Sequence, residues 1–124
     1  MDDYTKRKLE LSQKTLGQMS DLLVMSMRGF TEGTPRHTAM LRKMQAYKTA
    51  ASLMEAQLQG GSSLDATKDE LEEALQIIDA EKAKIEYAPP KMDCCNKLKS
   101  LMLRQGDALN LASTLLSQEL VPTA

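Results

Sequence analysis

DCCNKLKSLMLRQGDALNLASTLLSQEL, residues 93–120, is the most apolar uninterrupted segment of the chain, and its periodicity decides the fold. Cys95, Leu98, Met102, Leu109, Ala112, Leu116 and Leu120 recur in three- and four-residue steps, which stacks them along one side of an α-helix. Cys94, Leu101, Ala108 and Leu115 form a second line beside the first. Two adjacent stripes make a face wider than one partner helix would cover, so this helix is expected to touch at least two neighbours. Asp93 is a suitable N-cap for it. Gln105 falls on the seam and Gly106 follows, marking a helix crossing or a local bend.

Three further helices are predicted around it. The first covers residues 4–29 and carries Leu9, Leu16, Leu23 and Phe30 at seven-residue spacing, with a weaker companion column of Ser12, Met19 and Ser26. The apolar run Leu22-Leu23-Val24-Met25, followed by Met27, places its second half in the core and leaves its first half as a solvated arm. The basic cluster Lys6-Arg7-Lys8 reads as a solvated helix start, with Asp2 and Asp3 offsetting the unfavourable macrodipole.

The second helix, residues 35–59, follows the cap pair Thr34-Pro35. Met40, Met44, Tyr47, Ala51, Met54 and Leu58 form its predicted inner line, and Gly60-Gly61 its stop. The third covers residues 65–87, opened by one of Ser63, Asp65 or Thr67; Thr67-Lys68-Asp69-Glu70 fits a capping box. Leu71, Leu75, Ile78 and Ile85 line one of its faces. Its first turns are acidic through Asp69, Glu70, Glu72 and Glu73, which the helix dipole favours without any need for a bound cation. Pro89-Pro90 ends it.

Four helices on short polar connections predict a single all-α domain over residues 1–124, an antiparallel up-down-up-down four-helix bundle. The alternative is a pair of hairpins whose core is completed by dimerisation. Aromatic residues make up only 3% of the chain and nine methionines supply much of the apolar volume, so the packing is expected to be plastic.

Composition narrows the function. The net charge is −1 with 27% charged residues, which argues against a dedicated nucleic-acid binder, although Lys6, Arg7, Lys8, Arg36, Arg42 and Lys43 would be its contacts. No run approaches the ~20 apolar residues of a spanning helix, and the N-terminus lacks a signal-peptide layout. The expected compartment is the cytoplasm. Cys94 and Cys95 are the only cysteines, and adjacent cysteines rarely bond each other, so both are expected to be reduced.

No chemistry emerges from the motifs. The one histidine, His37, has no nucleophile implied by spacing and reads as an exposed residue of the second helix's first turn; no Glu-x-x-His pair or phosphate-binding loop occurs. The expectation is a non-enzymatic protein with no cofactor, metal or small-molecule substrate. In size, acidity and helical content the chain resembles the small cytosolic chaperones of flagellar and type III export, a likeness of architecture that carries no residue assignments.

Binding is what remains. The leading expectation is a small adaptor or chaperone that holds an amphipathic helix of a partner protein on a methionine-lined surface, drawn from Met25, Met27, Met40, Met44, Met54 and Met102 with Leu109 and Leu116. The alternative is a self-assembling structural or accessory protein, for example of phage or viral origin. It would use the same apolar stripe as the interface of a homodimer or larger oligomer. The same methionines would also serve as ordinary core.

Overall fold

The computed structural model describes residues 2–60, 66–87 and 96–120. They form four helices: α1 (Asp3–Met27), α2 (Pro35–Leu58), α3 (Lys68–Tyr87) and α4 (Asn96–Leu120), with no strand among the described residues. α1 and α2 begin and end within two residues of the expected 4–29 and 35–59. Asp93, the cysteine pair, Pro89-Pro90 and the predicted starts at 65 and 93 lie outside the described residues.

The helix starts are set by side chains that satisfy otherwise orphaned amides. Asp2 caps α1, its carboxylate accepting from the Thr5 N–H at 2.7 Å, and the Thr5 hydrogen bonds hold that carboxyl below its ordinary value. Thr34 caps α2 by accepting from the His37 N–H at 3.4 Å while Pro35 occupies the first turn. Thr67 does the same for α3, accepting from the Glu70 N–H at 3.2 Å, which is one half of the predicted capping box. Gly33, before the α2 cap, has φ +87°, and Gly60, after the end of α2, has φ +89°; both conformations favour glycine.

Around the bundle, α1 packs on α2, α2 on α3, α3 on α4 and α4 on α1, and α2 also meets α4 across the middle. As expected, α4 touches more than one neighbour; it touches all three. The connector of residues 28–34 extends no more than ~25 Å, whereas α2, at 24 residues, is ~36 Å long, so α2 must fold back along α1. Gln13, in the first half of α1, accordingly donates to Glu55 near the end of α2, at 2.7 Å. Between α3 and α4, Ser113 donates to Asp79 at 2.6 Å, and Ile85 lies 3.7 Å from where a β-carbon on Gly106 would sit. Moving forward from 79 to 85 means moving back from 113 to 106, so this pair runs in opposite directions.

The core collects Leu9 and Leu16 from α1, Ala46, Tyr47, Ala50, Leu53 and Met54 from α2, Leu71, Ala74 and Ile78 from α3, and Ala108, Leu109, Ala112 and Leu116 from α4. Leu16, Met54, Ile78, Leu109 and Leu116 are its largest fully buried side chains. Each such burial is worth roughly 1.5–3 kcal/mol.

Three sequence expectations are corrected here. In α1 the buried residues are Leu9, Ser12, Thr15, Leu16 and Ser20, so the first half enters the core and the expected solvated arm is not one. Four consecutive apolar residues, Leu22 to Met25, span most of a helical turn, and a core on one side takes only Leu23; Leu22, Val24 and Met25 face out. In α2 the inner line is rotated. Ala46, Ala50 and Leu53 join Tyr47 and Met54 inside, while Met40 and Met44 are half-buried. Small residues, Ser12, Thr15 and Ser20 on α1 and Ala46 and Ala50 on α2, occupy the core sides of the two most extensively packed helices, where large side chains would hold the backbones apart. Buried Thr15 satisfies its own hydroxyl by donating to the Leu11 carbonyl at 2.9 Å. His37 is likewise partly covered rather than exposed.

Candidate interaction surface

The α1 helix presents two apolar lines. Leu9, Leu16 and Leu23 face the core, and Tyr4, Leu11, Leu22 and Met25 face solvent, 75%, 49%, 57% and 64% exposed. Tyr4, Leu11 and Met25 are related by multiples of seven, with Gln18 completing the column and Leu22 one turn away beside it, so they share one side of the helix. Adding Val24, five of the six exposed large apolar side chains among the described residues lie on this helix. The sixth is Leu103 on α4, 69% exposed. Its neighbour Arg104, together with Asp107, lines a cleft of about 480 Å³ with Tyr4, Arg7, Lys8, Leu11 and Ser12 at the α1–α4 seam.

The opposite side of the molecule has another character. Between α2 and α3 run two clefts lined by Arg42, Lys48, Glu70, Glu73 and Glu81 among smaller residues. They are crossed by ion pairs: Arg42 to Glu73 at 3.6 Å, and Lys43 to Glu81 at 2.8 Å, with Lys84 also on Glu81 at 3.0 Å. Burial would raise the Glu81 carboxyl, but hydrogen bonds and charge from Lys43 and Lys84 hold it below its ordinary value. Tyr47 is buried nearby, and burial together with the Glu81 charge pushes its phenol well above the usual range. Every described salt bridge belongs to α2 and α3. This side is closed by its own charges.

The sequence-predicted binding residues divide by depth. Met54, Leu109 and Leu116 are fully buried and serve the core, so they offer no surface in this fold. Met27, Met40, Met44 and Met102 are half-buried. Met25 alone of the set is an exposed member of an apolar patch. Tyr4, Leu11, Leu22 and Leu103 were not among the predicted residues; the seven-residue recurrence of Tyr4, Leu11 and Met25 was the available signal. Of the basic residues weighed for nucleic acid, Lys6, Arg7 and Lys8 are exposed, Arg42 and Lys43 are ion-paired, and Arg36 sits 5.8 Å from the Phe30 ring centroid.

Among the described residues no group of three or more His, Cys, Asp and Glu comes together as a metal site. No described helix is long and apolar enough to cross a membrane. No protein-family model, no curated protein and no solved structure matches this chain.

Proposed function

We propose that the chain is a non-enzymatic helical interaction protein, an adaptor that holds an amphipathic helix of a partner against the outward face of α1. The observation that carries this reading is the concentration of exposed large apolar side chains on one face of one helix. Isolated exposed leucines are common on soluble proteins, but apolar side chains recurring at coiled-coil spacing along one side of a helix, here interrupted only at Gln18, are the form in which helices dock. The helix beneath it is anchored: Leu9 and Leu16 fix the reverse side, so the outer line is presented on a rigid support. A cytoplasmic setting goes with this reading, because the two cysteines, Cys94 and Cys95, are sequence neighbours that are ill placed to bond each other.

The test uses a fluorescein-labelled model peptide of about five helical turns, ~18 residues, with leucines at i, i+3, i+4 and i+7. The peptide should bind the folded protein, read by anisotropy, and the double variant Leu22→Glu, Met25→Glu should weaken binding by on the order of tenfold or more while circular dichroism stays helical. Equal binding by the variant, or none by the wild-type chain, would remove the outer face of α1 from the function.

A further inference from the structure

We infer that the helix held on the outer face of α1 is an acidic one: its carboxylates seat in the cationic cleft between α1 and α4 while its apolar stripe lies along Leu11, Leu22 and Met25. The inference rests on the reading of that face as a helix-docking surface and names the chemistry of the partner.

The clefts on the two sides of the molecule differ in charge. Each of the two between α2 and α3 is lined by two cations and two carboxylates: Arg42 and Lys48 with Glu70 and Glu73 in one, Arg42 and Lys43 with Glu73 and Glu81 in the other. The cleft of about 480 Å³ between α1 and α4 is lined by three cations, Arg7, Lys8 and Arg104, and one carboxylate, Asp107. Of these three clefts it alone carries a net positive charge. The acidic residues at the start of α1 do not cancel it. Asp2 is turned onto the Thr5 N–H. Asp3 and Glu10 do not line the cleft; each precedes Tyr4 or Leu11 by one residue and so points about 100° away from it around the helix.

The charges of this cleft are also unmatched. Among the described residues none of the four forms a salt bridge, although Arg104 and Asp107 stand three residues apart on the same helix. On the α2–α3 side, by contrast, Arg42, Lys43 and Lys84 each reach a glutamate. Cations gathered in a concave site reinforce one another's field, because the low-dielectric walls concentrate it. An anion seated among them relieves their mutual repulsion. Two of the three are arginines, whose forked guanidinium matches a carboxylate with two parallel hydrogen bonds.

The cleft shares Tyr4 and Leu11 with the apolar line of α1, so whatever covers Leu11 brings its flank to the cations. From Leu11 to Met25 the line runs ~21 Å, longer than a small anion spans, whereas about four turns of an amphipathic helix cover it. Beyond the cleft, on the side of Arg7, follow Lys14, Asp21 and Arg28, again one carboxylate against two cations. A nucleic acid presents phosphates at every step and needs an unbroken cationic track; Asp21 and Asp107 interrupt this one. A helix can carry glutamates opposite the cations and omit them opposite the two aspartates.

The experiment compares two fluorescein-labelled peptides of ~18 residues that share one leucine stripe. One carries glutamates, the other lysines, at the flanking positions of its first and last turns. Binding to the full chain is read by anisotropy at low salt. The acidic peptide should bind on the order of tenfold more tightly than the basic one, and the difference should shrink as added salt screens the exposed charges. In the triple variant Arg7→Gln, Lys8→Gln, Arg104→Gln, all at exposed positions, the difference should fall to about twofold while circular dichroism stays helical.

Equal binding of both peptides by the wild-type chain, tighter binding of the basic one, or a preference undiminished in the triple variant would each overturn the inference and leave the docking reading standing. Binding of neither peptide would remove the docking reading along with it, so the two failures separate. A short DNA duplex that displaced the acidic peptide at equal concentration would assign the cations to phosphate and would likewise overturn the inference.

Discussion

The helices α1 and α4 are built from the same kind of pattern and use it in opposite ways. In α4 the apolar stripe is consumed inside: Ala108, Leu109, Ala112 and Leu116 are all buried against three neighbouring helices. In α1 only half of the apolar residues can be inside, because they lie on two lines on opposite sides of the helix, and the inner one is already filled by Leu9 and Leu16 with small residues between. The difference shows that a helix's apolar content does not say where it stands in a bundle; the angular spread of that content does. A single wide stripe, as in α4, has to be central. Two narrow lines, as in α1, permit a peripheral helix that still has a face to offer.

The strongest way to break this comparison is to weaken α4. Leu109→Ala or Leu116→Ala should each cost about 2–5 kcal/mol of unfolding free energy, the range for deleting a buried leucine and leaving a cavity, read from urea melts at unchanged slope. A cost under about 0.5 kcal/mol, the size expected for surface positions, would mean these leucines are not core and would return them to the candidate surface.

The paired side of the molecule gives an intermediate effect with a defined pH signature. Glu81 titrates below its ordinary value of 4.5 in the fold, so its contribution is present above that pH and is lost as pH falls through the depressed folded value. Glu81→Gln should cost about 1 kcal/mol at neutral pH and remove part of the acid sensitivity of the wild-type chain. Tyr47 works in the other direction. Its raised folded value means stability is present below pH 10.0 and declines as pH rises beyond it. In Tyr47→Phe the alkaline decline of the melting temperature should be shallower; an unchanged decline would mean that the phenol does not govern it.

How far the sequence reaches can be seen in these same residues. Caps were legible at Thr34-Pro35 and Gly60, which act through local geometry that needs no knowledge of neighbours, while Thr67 was one of three candidates between which the sequence did not choose. The stripe of α4 was legible because only one wide face exists. The inner sides of α1 and α2 were not, for a common reason. Periodicity weights large apolar residues, while close packing selects small ones, so Ser12, Thr15, Ser20, Ala46 and Ala50 occupied positions that a hydrophobic pattern assigns low weight. With the inner side misjudged, Leu22 and Val24 were read with the core, and the candidate surface was drawn largely from methionines, among them Met54, which the bundle buries.

Gly106 sharpens the comparison from within α4. Its helix continues unbroken through it, and a β-carbon there would sit 3.7 Å from Ile85, an ordinary contact. Gly106→Ala should therefore raise stability by about 0.5–1 kcal/mol through reduced backbone entropy in the unfolded chain. A loss of stability would mean that α3 approaches α4 closely enough at this point to require glycine.

The smallest stability effect is expected where the apolar residues are largest in number, on the outer face of α1. Leu22→Glu with Met25→Glu exposes no new apolar surface and removes no buried contact in the single chain, so the monomer's unfolding free energy should move by less than about 0.5 kcal/mol. Any effect must then appear elsewhere, in what the face binds. If a second copy covers this face, the wild-type melting temperature rises with protein concentration, because association stabilises the folded state by mass action, and the double variant shows no such rise. A melting temperature that falls by several degrees at every concentration would instead show that Leu22 and Met25 are covered within one chain, and the contrast between α1 and α4 would collapse. Equal curves for wild type and variant at all concentrations would leave the contrast intact and the face free for a partner of another kind.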